Sequence, residues 1–212
     1  MTPKLAVFCS GHGSNFQAIL DAVKRRKLRA EVALVVCDDP KAFAIQRAAE
    51  SGVPALVLSP KLFRSRTDYE KFIVRILKNQ KVDAVILAGF MRILTPYFIN
   101  VYKNKILNIH PSCLPAFKGT RAIEDAFHAG VKETGVTIHV VTAKVDDGPI
   151  LAQTKVRVSG SDTLKTLEKK IHRTEHRLYP AAIQKFINKC HSRARRRRVR
   201  LWRKGGNQLD PR

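Results

Sequence analysis

Leu5-Ala6-Val7-Phe8-Cys9-Ser10-Gly11-His12-Gly13-Ser14-Asn15 is an apolar run followed at once by a loop with two glycines. A short, nearly continuous apolar run is typical of a strand whose two faces are both covered, as in a parallel sheet. The segment that follows, 14–26, has helical periodicity and is long enough for a crossover helix. This stretch therefore predicts an α/β fold, with the loop at the carboxyl end of its first strand.

Similar apolar runs alternate with amphipathic segments along the rest of the chain. We predict strands at 32–37, 55–58, 84–88 and 106–109, and helices at 42–51, 66–79, 96–102 and 122–129. Two β-rich runs follow at 136–141 and 150–158, and then a long helix from 161 or 162 to 188, with Ser161, Asp162 and Thr163 as N-cap candidates and a possible break at Pro180. The pattern indicates one open, mostly parallel twisted sheet with helices on both faces, a Rossmann-like arrangement.

The length of 212 residues suits one globular domain, which we place at 1–189, followed by a basic tail at 190–212. The tail contains eight arginines, one lysine and one aspartate, a net +8, so that the domain carries the other +15 of the formal charge of +23. Such a balance favours anionic ligands such as phosphates, polyglutamate chains or nucleic acid, and it does not choose among them.

The sequence shows neither a signal peptide nor a run of 18 apolar residues, so we expect a cytoplasmic protein with no membrane partner. Four scattered cysteines without a CxxC pair argue against a zinc site and against a disulfide framework. His172-Arg173-Thr174-Glu175-His176 matches the inverted zincin pattern, but the only later acid is Asp210 in the tail. We therefore predict no metal.

The loop from Ser10 to Asn15 is a candidate anion site. Its two glycines allow close approach of backbone N–H groups, and the N-terminus of the following helix favours negative charge. Phe16 replaces the third glycine of a dinucleotide fingerprint, and the lysine of a P-loop is missing. The pattern favours a nucleoside monophosphate over NAD or ATP. The alternative is an ordinary strand-to-helix turn capped by Ser14.

A second candidate site combines Asn108-Ile109-His110 with Asp146, which follows the histidine by 36 residues. Alternation along a strand places Asn108 and His110 on the same side, where an amide and an imidazole can converge on one oxygen as an oxyanion pair. A carboxylate at Asp146 can orient or charge that imidazole. These are the parts of a carbonyl-transfer site. The alternative is a polar strand end and an Asx turn at Asp146.

Together these motifs resemble the glycinamide ribonucleotide formyltransferase family of folate-dependent enzymes. The resemblance covers about residues 4–188 and is carried by Gly11-x-Gly13-Ser14-Asn15, Leu87-Ala88-Gly89-Phe90-Met91-Arg92-Ile93-Leu94, Asn108-Ile109-His110-Pro111-Ser112-x-Leu114-Pro115, Gly135-x-Thr137-Ile138-His139 and Asp146-x-Gly148-Pro149-Ile150. It implies the formyltransferase fold and transfer of a formyl group from the co-substrate 10-formyltetrahydrofolate to the glycine amine of phosphoribosylglycinamide, in purine synthesis.

The resemblance also implies a role for individual residues. Asn108 and protonated His110 would hold the oxyanion, and Asp146 would support the charged His110 and help to move the proton. Glu175 would bind the ribose or glycinamide part of the acceptor. The acceptor phosphate would rest on Gly11, His12, Gly13, Ser14 and Asn15. The folate would contact Arg66, Leu87, Met91, Arg92, Ile93, Leu94, Asn108, Val141, Thr142 and Asp146.

Three alternative functions remain open. A 10-formyltetrahydrofolate hydrolase would share the Asn-His-Asp set, but Pro111 in place of a second histidine, the phosphate loop and the lack of a preceding domain favour a transferase. A methionyl-transfer-RNA formyltransferase would need a second domain. A nucleic-acid-binding role would rest on the basic tail, where Trp202 alone could stack on bases. The oligomeric state is not predicted.

Overall fold

The computed structural model describes residues 2–205, and the side chains of residues 2–190. Within this part of the chain the centre is a seven-stranded sheet of order β3-β2-β1-β4-β5-β6-β7. The strands are β1 Lys4–Cys9, β2 Glu31–Cys37, β3 Ala55–Val57, β4 Ala84–Leu87, β5 Ile106–His110, β6 Glu133–Val140 and β7 Ile150–Arg157. Strands β1 to β5 pair in parallel, whereas β6 and β7 are antiparallel. The predicted mostly parallel α/β sheet is confirmed.

Helices cover both faces of this sheet. They are α1 Ser14–Lys24, α2 Phe43–Glu50, a short 3₁₀ helix Pro60–Leu62, α3 Arg66–Asn79, α4 Pro96–Val101, α5 Ala122–His128 and α6 Leu164–Gly205. One core joins the sheet to α1, α2 and α6, and a second core joins the opposite face to α3 and α4. Along β1, Leu5 and Val7 belong to the first core and Ala6 and Phe8 to the second, and all four are fully buried. The apolar run of β1 therefore reflects burial of alternate side chains on opposite faces.

Helix α6 differs from its prediction in three respects, one of which is that it continues past the expected end at 188 to Gly205. It begins at Leu164, because Thr163 caps it and its Oγ1 accepts the Thr166 N–H at 3.3 Å. The expected break at Pro180 is wrong, since the helix continues through it. Proline removes one backbone hydrogen bond, but the fully buried side chains of Tyr179 and Ile183 on either side hold α6 against the sheet.

The direction of the chain across the sheet reverses at β1. The chain leaves β1 for β2 and β3 on one side and returns to β4 and β5 on the other. In open α/β sheets, ligands bind at such a switch point, beyond the carboxyl ends of the strands. The Tyr179 hydroxyl on α6 donates to the carbonyl oxygens of Leu87 at 2.7 Å and Leu107 at 3.1 Å. Helix α6 is thereby tied to β4, at the switch point, and to its neighbour β5.

The loop between β6 and β7, residues 141–149, starts beside the amino end of β5, where the Val141 N–H donates to the Ile106 carbonyl at 3.0 Å. The loop then turns back toward the carboxyl end of β5, where Asp146 lies next to His110. A Cβ at Gly148 would lie 1.7 Å from the carbonyl oxygen of Val140, so only glycine fits there. Asp146 has a φ of +49°, a left-handed conformation that costs a non-glycine residue about 1 kcal/mol. The loop is thus shaped to hold the Asp146 side chain in one place.

The predicted boundary between the domain and the basic tail, at 189/190, falls inside α6 and stays a prediction. From residue 191 onward the tail lies outside the described side chains. Within residues 2–205, no helix is both long and apolar enough to cross a lipid bilayer.

Candidate active site

Asp146 lies between two histidines. Its Oδ2 is 3.5 Å from His110 Nδ1, and its Oδ1 is 3.5 Å from His139 Nε2. The Gly119 N–H donates to Oδ2 at 3.0 Å. Burial by itself would raise the pKa of Asp146, but the hydrogen bonds from His139 and Gly119 and the charges of the two histidines hold that pKa below its ordinary value. The carboxylate is therefore ionised at neutral pH and can stabilise a positive charge on either imidazole.

Asn108 and His110 both border the same cavity, as their shared side of β5 predicts. They do not converge on a common group. The Asn108 amide nitrogen lies 3.1 Å from His139 Nε2, and His110 Nε2 lies 2.7 Å from the carbonyl oxygen of Phe117. A carbonyl oxygen can only accept, so the ring N–H of His110 donates to it. An oxygen held between Asn108 and His110 has to replace Phe117 as the acceptor.

His139 is a member of this cluster that the sequence did not assign to the site. It is buried in β6, and the antiparallel register places it directly opposite Asn108 on β5. Its ring fills the space between the Asn108 amide and the Asp146 carboxylate. The place of His139 in the site follows from the register of β6 against β5. This register depends on pairing between strands that are distant in the sequence, so the local residue pattern does not reveal it.

A cavity of about 240 Å³ opens beside the cluster. Met91 and Ile93 line this cavity, and 62% and 61% of their respective surfaces are exposed. Large apolar side chains that are exposed beside a cavity are typical of ligand sites. Arg66 lines a neighbouring cavity of about 230 Å³ that shares Met91, Arg92 and Ile93 with the first. All the other residues predicted to contact folate line the first cavity, namely Leu87, Met91, Arg92, Ile93, Leu94, Asn108, Val141, Thr142 and Asp146.

Asp38 is a second residue that the sequence interpretation missed. It follows β2 at the same edge of the sheet, is 6% exposed, and pairs its Oδ2 with Arg92 Nε at 2.5 Å. Its Oδ1 is buried without a hydrogen-bond partner among the described side chains. A buried carboxylate holds a guanidinium in one orientation, so Arg92 is fixed where the two cavities meet.

The loop between β1 and α1 exposes backbone at its tip. Gly13, with φ +70°, is the N-cap of α1 and forms no side-chain capping bond. A Cβ at Gly13 would lie 2.7 Å from the Ala44 Cβ, so glycine is required by space as well as by conformation. The alternative in which Ser14 caps the helix is wrong, because Ser14 is its first residue. The N-terminal N–H groups of α1 therefore have no side-chain cap and are suited to an anion.

Glu175 joins this loop to α6. It is 4% exposed and accepts a hydrogen bond from Asn15 Nδ2 at 2.9 Å. Burial raises the pKa of Glu175, while the Asn15 bond and the charge of His172 oppose that rise. The rings of His172 and His176 stack with centroids 6.4 Å apart. Within residues 2–190, no group of three or more His, Cys, Asp or Glu side chains is arranged to hold a metal ion.

A largely buried carboxylate between two histidines, an adjacent amide and an anion loop are the components of an acyl-transfer site on an open α/β sheet. The formyl transferase family matches residues 3–183. The chain belongs to this family.

Particular relatives carry a more specific name. The chain is 42% identical over 184 residues to the phosphoribosylglycinamide formyltransferase of Bacillus subtilis (strain 168), a match that covers 87% of this chain and 94% of that protein. It is 41% identical over 181 residues to the trifunctional purine biosynthetic protein adenosine-3 of Gallus gallus, covering 85% of this chain and 18% of that protein. The crystal structure of glycinamide ribonucleotide transformylase 1 from Geobacillus kaustophilus matches with a TM-score of 0.85 and 49% identity, over 87% of this chain and 98% of that one. These names favour a transferase over a hydrolase.

Proposed function

We propose that this chain transfers the formyl group of 10-formyltetrahydrofolate to the amine of phosphoribosylglycinamide, a reaction of purine biosynthesis. The observation that supports this proposal most directly is the position of Asp146, which lies between His110 and His139. Asp146 also lies near Asn108 and lines the cavity. The names of the bacterial relatives support it. The cytoplasmic location remains a prediction from the sequence.

The acceptor would bind at the loop between β1 and α1. Its phosphate would accept hydrogen bonds from the uncapped N–H groups at the start of α1. Glu175, held by Asn15, would then accept from a ribose hydroxyl or from the glycinamide. Because burial raises the pKa of Glu175, its carboxyl group is also easier to protonate than a surface glutamate. The positive charge of the domain would raise the rate at which a phosphorylated acceptor arrives.

The donor would bind in the cavity beside Asp146. 10-Formyltetrahydrofolate supplies the formyl group and brings a flat heterocycle and a glutamate with two carboxylates. The exposed apolar side chains of Met91 and Ile93 suit the ring system. Arg66 and Arg92 in the neighbouring cavity suit the carboxylates, and Asp38 keeps Arg92 in place for them.

The chemical step would use Asn108, His110 and Asp146. Negative charge develops on the formyl oxygen while the amine attacks. The Asn108 amide and the N–H of protonated His110 would stabilise that charge, and such a donor typically contributes about 3 to 4 kcal/mol. Ionised Asp146 would stabilise the imidazolium and help to move the proton of the attacking amine to N10 of the folate. As the oxyanion collapses, the bond between the formyl carbon and N10 would break, and tetrahydrofolate would leave as the neutral amine. For His110 Nε2 to contribute, its hydrogen bond to the Phe117 carbonyl must first break.

An absorbance assay of 10-formyltetrahydrofolate consumption tests the proposal, with and without phosphoribosylglycinamide. We expect consumption only with the acceptor present, and its loss in His110→Gln. His128→Gln, which changes an exposed histidine on α5, is the matched control and should keep full activity. Equal consumption without the acceptor would identify a hydrolase instead, and no consumption in either case would refute the proposal.

A further inference from the structure

A second cavity lies between α1 and α6, away from the donor cavity. Its volume is about 520 Å³, within the range of small-molecule sites. We call it the α1–α6 groove and define it by Asp21, Arg25, Lys27, Arg47, His176 and Arg177, which line it. It includes none of the predicted folate contacts, and of the phosphate loop only Ser14. The residues of the proposed reaction therefore do not account for it.

The charge of the groove is strongly positive. Arg25, Lys27, Arg47 and Arg177 line it against one acid, Asp21. Asp21 is engaged by Gln17, whose Nε2 donates to it at 3.0 Å. Among the side chains of residues 2–190, neither Arg25, Lys27 nor Arg177 forms a salt bridge. Uncompensated cations around a concave surface concentrate anions there.

Arg47 is held in position within the groove. Its Nε donates to the carbonyl oxygen of His12 at 3.0 Å, and its Nη1 donates to Gln17 Oε1 at 3.0 Å. Its guanidinium also lies 4.8 Å from the centroid of the Phe43 ring. A guanidinium that is already ordered loses little further conformational entropy when it binds a phosphate.

His176 lines the groove and carries a ring nitrogen without a protein partner in the described part of the chain. Its Nε2 is buried and has no hydrogen-bond partner among the described residues. Burial lowers the pKa of His176, and the charges of His172 and Arg47 lower it further. Buried polar atoms nearly always have a partner, which for this nitrogen is an ordered water or a ligand. An anion bound in the groove would offset the positive charge of the neighbouring Arg47.

Positive groups line the whole length of the groove. Arg47 lies at the end where α1 begins, bonded to His12 and Gln17, while Arg25 and Lys27 lie where α1 ends. The distance along α1 from Ser14 to Arg25 is about 16 Å, at 1.5 Å per residue. An occupant that pairs with both ends has to carry negative charge along a chain, which a single phosphate does not.

We propose that the α1–α6 groove is a second anion site that binds a linear phosphoanhydride, as a free polyphosphate or as the phosphate chain of a nucleotide. This site is distinct from the acceptor phosphate loop, and the proposal does not depend on the reaction proposed above.

The test follows the imidazole NMR signal of His176 in the full-length protein, assigned by its disappearance in His176→Gln. Sodium tripolyphosphate and ATP are titrated separately near physiological ionic strength. We expect a saturable shift with at least one of them, and half-saturation at about tenfold higher concentration in Arg25→Glu/Arg177→Glu. Tighter binding of ATP would identify a nucleotide as the occupant, and equal binding the phosphate chain alone. Arg25→Gln/Arg177→Gln replaces the charge-reversed pair should that pair fail to fold.

Lys78→Glu/Lys103→Glu is the matched control. Both lysines are exposed on the opposite side of the sheet, and their reversal changes the net charge by the same amount. The control should bind within about twofold of the wild type, since distant surface charges are screened. Three results would overturn the proposal: no His176 shift with either probe, equal weakening by both variant pairs, or complete displacement of the probe by phosphoribosylglycinamide, which would place it in the acceptor loop.

Discussion

Asp146→Asn is the substitution that tests the proposed site most directly. It removes the negative charge between His110 and His139 and keeps the shape of the side chain. Asparagine tolerates the left-handed conformation of position 146 better than most residues, so the loop should keep its path. The amide oxygen of the asparagine can still accept the Gly119 N–H bond. The change is therefore electrostatic rather than structural.

The size of the effect follows from the 3.5 Å separation of Asp146 from His110. At that distance and an effective dielectric constant of about 20, two unit charges interact by about 5 kcal/mol, which is a ceiling. The side chain of Asp146 is only 10% exposed, so solvent screens little of this. Allowing for the dipole of the new amide, we expect a loss of about 3 kcal/mol in the transition state, or roughly 100-fold in kcat.

The assay measures kcat and KM for both substrates by absorbance, together with Tm. Asp147→Asn is the control, because it makes the same chemical change one residue away, where the carboxylate is exposed and paired with Lys118 at 2.7 Å. Asp147→Asn should keep kcat within about threefold of wild type. An Asp146→Asn protein with unchanged Tm and a kcat within about threefold of wild type would show that the assigned site is wrong.

The remaining predictions concern the acceptor, the oxyanion, the loop and pH. Asn108→Ala should lower kcat about 100- to 1000-fold, and either KM far less, in steady-state kinetics. Glu175→Ala should raise the KM for phosphoribosylglycinamide at least about tenfold and leave that for the folate nearly unchanged. Gly148→Ala should lower Tm by more than about 5 °C in a thermal melt, because its Cβ would meet the Val140 carbonyl, whereas Gly160→Ala, with open space around it, should have little effect. Because the pKa of Asp146 is lowered by folding, its stabilising charge is present above its ordinary value of 3.8 and is lost as pH falls through the folded value, so the stability difference between wild type and Asp146→Asn in urea melts should shrink in that acid range.

Features that depend on local sequence were predictable. The apolar runs of β1, β2 and β4, the glycine loop after β1 and the alternation of Asn108 and His110 follow from a few consecutive residues. Features that depend on distant pairing were not. His139 joins the site only through the antiparallel register of β6 against β5. Asp38 joins it only because β2 ends at the same edge as β4.

One local rule was overridden by the packing of the whole molecule, and one contact of the site was not predictable from local sequence. Pro180 should interrupt a helix, but α6 is anchored in the core on either side of it. That His110 shares a ligand oxygen with Asn108 stays a prediction, and in this structure its Nε2 donates to the Phe117 carbonyl, which such an oxygen would replace. That contact comes from the loop that follows β5, and a strand pattern carries no information about the path of such a loop.

The hydroxyl group of Tyr179 has a consequence for how two reactants would meet. It donates to the backbone of Leu87 on β4 and of Leu107 on β5, and it lies one helical turn from Glu175 on α6. The Tyr179 hydroxyl therefore connects the helix that carries Glu175, the proposed acceptor residue, to the two strands beside the proposed donor cavity. Since an error of about 1 Å between reacting atoms can cost about 100-fold in rate, a tyrosine outside both proposed substrate sites would set the distance between the two substrates.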